Sequence, residues 1–179
     1  MRRISAEYLY DGGSSEPLRN AYVEVADDGT VLAVGKVENP EAEPEFHKGA
    51  IVPGFVNTHC HLELSYLKGK FRKGTGMAGF IDQINEMRDT SSMEEKKADI
   101  AFWMNEMWKR GVTAMGDISN CSDTFECKAD SPMYTRTFLE VFGTEPQDCQ
   151  DVIDNVLELQ KTADKYGIDA APAPHACYT

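Results

Sequence analysis

His59 and His61 stand one residue apart in "VNTHCHLELS", with Cys60 between them. Side chains of an extended chain alternate, so the two imidazoles leave one side of a strand and the thiol leaves the other. At a rise of about 3.3 Å per residue the rings are roughly 6 to 7 Å apart, and by converging they can reach one cation. Neutral imidazole nitrogens suit a transition metal at about 2.0 to 2.1 Å. Taken alone, the pair is equally compatible with two histidines at a strand end bonded to loop carbonyls. Glu63 lies just beyond the pair, where it either orients a ligand or stands as a solvated loop carboxylate. Asp117, in "MGDIS", either supports a metal-holding residue through a hydrogen bond or caps the turn that follows. His175 lies close to the last residue of the chain, and His47 reads as a surface residue of a polar stretch.

The elements that must position these groups follow from the patterning. "AYVEVADDGTVLAVG" has two alternating apolar runs around Asp28-Gly29, a hairpin signal. "KVENPEAEPEFHKG" has two prolines and four glutamates and reads as a surface linker. "GAIVPGFVNTHCH" predicts a strand apolar on both faces, its entry bent by Pro53 and Gly54. A helix is expected over 80–88 with Phe80, Ile81, Ile84 and Met87 on one face. The next carries a capping box at Ser92 and Glu95, an apolar ridge of Ile100, Met104, Met107 and Trp108, and Gly111 as its stop. Those methionines, Trp103 and Trp108 are read as core. "GVTAMGDIS", "YTRTFLEVFG" and "IDAAPAPHACYT" are further strands. "TEPQDCQDVIDNVLELQKTADKYG" is a helix with Cys149, Val152, Ile153, Val156 and Ala163 on one side, capped by Thr144 or Gln147. Strands alternating with helices predict βαβ units and a parallel sheet after a small β region.

Composition narrows the function classes. The 179 residues carry a net charge of -12, with Lys and Arg scattered, which argues against nucleic acid as a partner. No apolar run approaches the roughly 20 residues of a membrane span, and "MRRISAEYLYDGG" has no apolar core of a secretory signal. A cytoplasmic location is the expectation. Five cysteines without CxxC pairs predict reduced thiols.

The apolar strand and its Pro-Gly entry resemble the first barrel strand of the metal-dependent amidohydrolase superfamily. Its "PGxVNxHxH" matches Pro53-Gly54-Phe55-Val56-Asn57-Thr58-His59-Cys60-His61. "RGVTAMGDI" looks like the second strand of that family. "APHACYT" is similar to the "PHxxYS" segment of its deaminase and chlorohydrolase branch. "HCHLELSYLKG" followed by "GTGMAGFIDQINEMR" looks closest to aminofutalosine-type and related nucleoside deaminases. The resemblance implies an α/β fold: residues 1–50 form part of a composite β-sandwich, and 51–179 form about four strands of a partial (β/α)8 TIM barrel. It implies that His59 and His61 ligate a divalent metal, zinc or alternatively iron. It implies that His175 hydrogen-bonds the substrate or the oxygen developing on the attacked carbon.

In such enzymes the metal acidifies a water that attacks a ring carbon bearing an amino group or halide, and a carboxylate shuttles the proton. The resemblance places the other ligands and the shuttling glutamate on the fifth to eighth strands, which this sequence does not reach. The chain therefore reads as the N-terminal half of a hydrolase acting on a nucleobase- or nucleoside-like small molecule. It is expected to be inactive alone, its metal site occupied or unoccupied, and to self-associate through the open half-barrel. The alternative is a non-enzymatic half-barrel that binds metal weakly or assembles with a second polypeptide. A cloned fragment, a proteolysed product and an interrupted gene would each give this sequence.

Overall fold

The computed structural model describes residues 1–38, 44–88, 90–143 and 145–177. The chain divides into two compact units, Met1–Gly54 and Phe55–Thr179, each described here by itself.

In the first unit, β1 (Arg2–Leu9), β2 (Ala21–Val25), β3 (Val31–Lys36) and β4 (Glu45–Ile51) form one mixed sheet in the order β3-β2-β1-β4. The expected hairpin is β2 and β3. Its turn is closed by Ala26 N–H donating to the Thr30 carbonyl at 2.9 Å and Thr30 N–H donating to Asp28 Oδ1 at 2.9 Å, with Gly29 at φ +90°. That positive φ is why glycine follows the aspartate. The end of the supposed linker is β4, parallel to β1, so "GAI" belongs to this sheet and not to the strand of the histidines. His47 is exposed on β4 and contacts Glu45 at 2.9 Å.

In the second unit, β5 (Phe55–Cys60), β6 (Val112–Ser119), β7 (Tyr134–Val141) and β8 (Asp169–Pro174) form an all-parallel sheet in sequential order. Four helices accompany it: α1 (Gly76–Met87), α2 (Met93–Lys109), the short α3 (Phe125–Ala129) and α4 (Cys149–Tyr166). The capping box of α2 is present, with Ser92 N–H donating to Glu95 Oε2 at 2.8 Å and Glu95 N–H donating to Ser92 Oγ at 3.2 Å. Ile100 and Met104 bury its ridge against Leu62, Met115 and Met133, while Trp108 at the helix end stays exposed. A second cluster joins Phe125 of α3 to Leu139 of β7 and Val156 and Ala163 of α4.

Three further features depart from the sequence expectations. Helix α1 buries Gln83 and exposes Phe80 and Ile81. The Gln83 amide is tied to Arg72, Thr75 and Gly79, so the residue closes the preceding loop instead of joining an apolar face. Gln147 does not cap α4; a 3-10 turn, Pro146–Asp148, leads into it, and Thr144 lies outside the described residues. Strand β5 is not covered on both faces, since Phe55 and Val56 are 59% and 61% exposed. Among the described residues β5 pairs only with β6, and β8 only with β7. No helix among them is long and apolar enough to cross a membrane.

Candidate functional site

Parallel strands deliver their C-terminal ends to one edge of the sheet, and all the candidate residues of the second unit gather there. The rings of His59 and His61 lie 5.2 Å apart between centroids, inclined by 65°. Cys60 turns the other way and packs against the cluster of Leu62, Ile100 and Met104. Burial, reinforced by the charge of Asp117, pushes its thiol up to about 12. It stays protonated at neutral pH, which removes it as a thiolate donor.

A cavity of about 150 Å³ opens beside the two histidines and is also lined by Ile118, Phe138, Glu140 and His175. His175, just beyond β8, is held by three contacts. Its backbone N–H donates to the Val141 carbonyl at 3.0 Å, its Nδ1 meets Glu140 Oε1 at 2.6 Å, and its ring stands edge-on to Phe142. Glu140 was not singled out from the sequence. Its position two residues after Phe138 on an alternating strand, facing the same way, was the available signal. Burial drives the Glu140 carboxyl upward. The hydrogen bonds from Asn120 and His175, with the electrostatic pull of the His175 and His61 rings, outweigh that and hold it below the usual carboxylate range.

Glu63 sits in the 3-10 turn Leu62–Leu67 and is buried. Its carboxylate accepts from Asn120 N–H at 2.7 Å, from Asn120 Nδ2 at 3.2 Å and from Cys121 Sγ at 3.3 Å. It lines a neighbouring hollow with Asn120 and Cys121, and is not among the residues of the histidine cavity. Asp117 lies beneath the site. Its Oδ1 accepts the Leu62 N–H at 2.7 Å, fixing the turn immediately after His61.

Asp117 Oδ2 makes an ion contact with Lys128 Nζ at 2.6 Å, and both side chains are 0% exposed. That oxygen has no hydrogen bond of good angle, so the contact is ionic proximity rather than a well-formed bond. Burial lifts the Asp117 carboxyl above its ordinary range, against the pull of Lys128 and the Leu62 N–H. Lys128, donating to Thr137 Oγ1 at 3.0 Å, escaped the sequence reading because "FECKAD" looks like a solvated loop.

As metal donors the cavity offers the two imidazoles, their ring centroids 5.2 Å apart. Among the described residues no three His, Cys, Asp or Glu side chains converge on one point, so His175 does not close the site as a third ligand.

No family model matches the chain. An aminodeoxyfutalosine deaminase of Nitratiruptor sp. is 27% identical over 164 residues, 87% of this chain and 40% of that protein. Helicobacter pylori aminofutalosine deaminase, solved with methylthio-coformycin, superposes with a TM-score of 0.75 at 23% identity, over 97% of this chain and 44% of that one. The zinc complex of atrazine chlorohydrolase TrzN from Arthrobacter aurescens superposes at 0.69 and 17%, over 97% and 46%. The chain is thus similar in sequence to an aminodeoxyfutalosine deaminase and shares its fold with a deaminase and a chlorohydrolase of known structure, and it spans less than half the length of each of these proteins.

Proposed function

We infer that the chain is the N-terminal part of a metal-dependent amidohydrolase that hydrolytically removes an amino group from a nucleoside-like ring. In this reading Met1–Gly54 contributes to a β-sandwich and β5 to β8 are the first four strands of a barrel. The observation that carries it is the pairing of His59 and His61 at the C-terminal edge of β5, rings 5.2 Å apart, with His175 across the same cavity. A divalent cation, zinc by analogy with the zinc-bound chlorohydrolase, would be held by those two rings and would supply the activation of water. The residues of this chain do the rest of its share. His175 meets the substrate from the opposite wall, Phe138 and Ile118 give the ring an apolar surface, and Asp117 fixes the turn behind His61. Glu63 acts on substrate only by way of Asn120, whose amide bridges it to Glu140.

With two ligands, the chain alone holds zinc weakly and releases no ammonia; the exposed Phe55 and Val56 are the surface on which it self-associates or meets the missing strands. The test is a zinc titration of the chain, with ammonia release from adenosine-like nucleosides followed before and after adding the polypeptide encoded directly downstream of Thr179. Weak zinc binding is expected, lost at least tenfold in His59→Ala and in His61→Ala, with ammonia appearing only in the mixture. Undiminished zinc binding in the double variant would overturn the reading.

A further inference from the structure

The C-terminal ends of the four parallel strands are tied together by one continuous row of polar side chains. Glu63 follows β5, Asn120 follows β6, Glu140 ends β7 and His175 follows β8. Asn120 Nδ2 reaches Glu63 Oε1 at 3.2 Å and Glu140 Oε2 at 2.7 Å, and Glu140 Oε1 meets His175 Nδ1 at 2.6 Å. An amide NH2 has two donors, and here both are spent on carboxyl oxygens; these bonds help to hold the Glu140 carboxyl below the usual carboxylate range, so it is ionised near neutral pH. An ionised carboxylate has no proton to give. The 2.6 Å contact therefore requires the proton to sit on His175 Nδ1.

We propose that Glu140 is a positioning residue that locks His175 as its Nδ1–H tautomer, so that the opposite nitrogen, Nε2, meets the ligand in the cavity as a hydrogen-bond acceptor. Which ring nitrogen carries the proton is set by the bond the other one makes. Asn120 and Glu63 act one step further back: they fix the Glu140 carboxylate, while the edge-on Phe142 ring flanks the imidazole and the Val141 carbonyl holds the His175 backbone. The consequence for recognition, which rests on the cavity being the substrate site, is that the ligand atom opposite neutral His175 is an N–H or O–H donor. A bare carbonyl or a halide offers nothing to that nitrogen.

The test is the tautomer itself, read on the full chain with 15N-labelled histidine by long-range proton–nitrogen correlation. The spectra are taken about two pH units above the ordinary imidazole value of about 6.5. Four histidines make the assignment tractable. In the unaltered protein His175 shows a protonated Nδ1 and a bare Nε2. In Glu140→Ala its signals move to the Nε2–H pattern, and in Asn120→Ala they show a mixture of the two. A residue that merely stabilised the fold would leave the tautomer unchanged. An Nε2–H tautomer in the unaltered protein overturns the proposal, and that spectrum decides even if Glu140→Ala fails to fold. The readout needs no metal and no turnover, so it stands whether or not zinc binding and ammonia release behave as expected.

Discussion

The turn that carries His61 and the loop that carries His175 border the same small cavity but are anchored by different chemistry. Behind His61 the anchor is a buried ion pair, Asp117 and Lys128, closed off from water on every side. At His175 it is an open chain of hydrogen bonds through Glu140 and Asn120, at the solvent edge of the sheet. Buried charges pay a large desolvation cost and give a rigid geometry that fails all at once if one partner goes. Exposed hydrogen bonds contribute little to stability, because water replaces them, yet they still decide proton positions. The first arrangement suits a group whose place in space matters, and the second a group whose protonation matters.

The largest effect is expected from breaking the first anchor. Lys128→Met strands a carboxylate in the core and should cost about 3 to 5 kcal/mol in denaturant unfolding. Asp117 already has a folded-state pKa above its unfolded value. In this variant, therefore, stability rises as pH falls through that raised value, and the gain is complete below the unfolded value of about 3.9. The double variant Asp117→Asn with Lys128→Met removes the charge and keeps an oxygen for the Leu62 N–H. It should recover most of the loss, and no recovery would show that the ion pair is not what limits the single variant.

This contrast also explains what the sequence discloses. Period-two alternation brings His59 and His61 to one side and sends Cys60 to the core, because that rule is local to the strand. The capping box and apolar ridge of α2 are equally local. Lys128 is illegible because its burial depends on β7 and on Asp117, which lie on other elements than the short helix that carries it. Strand β4 is hidden by Glu45 and the proline before it, since its partner β1 lies some forty residues earlier and sequence patterning does not see parallel pairing. Gln83 shows the reverse error. A polar residue with four hydrogen bonds is a better plug for a loop than the neighbouring Phe80 and Ile81, which stay exposed although the Phe80 ring leans against Phe71.

A smaller effect should come from the strand interface beside His59. A Cβ on Gly116 would lie 2.9 Å from the Thr58 carbonyl oxygen and 3.3 Å from Phe138, so backbone has to give way. Gly116→Ala should destabilise by about 1 to 3 kcal/mol through overpacking. Because the displaced carbonyl immediately precedes His59, zinc affinity should fall further than in a surface variant of equal stability, such as one in α4. Unaltered unfolding and zinc binding together would show that β5 yields freely at this point.

The smallest effect sharpens the comparison at the hydrogen-bonded anchor. Burial first, and then the charge of Glu63, push the Cys121 thiol well above its ordinary value. Glu63→Gln removes the second cause and leaves the first. Cys121 should then alkylate faster, by less than about tenfold, because thiolate is the reacting form and one pKa unit is worth a factor of ten. Cys127, also raised chiefly by burial but with Asp130 as the next cause, should keep its rate, while the exposed Cys149 and Cys177 react first in either protein. Unfolding of the same variant should change by only about 1 kcal/mol, the worth of a replaceable hydrogen bond. A loss as large as that of Lys128→Met would mean that Glu63 is a second rigid anchor, and the division between a rigid side and a tunable side of the cavity would then fail.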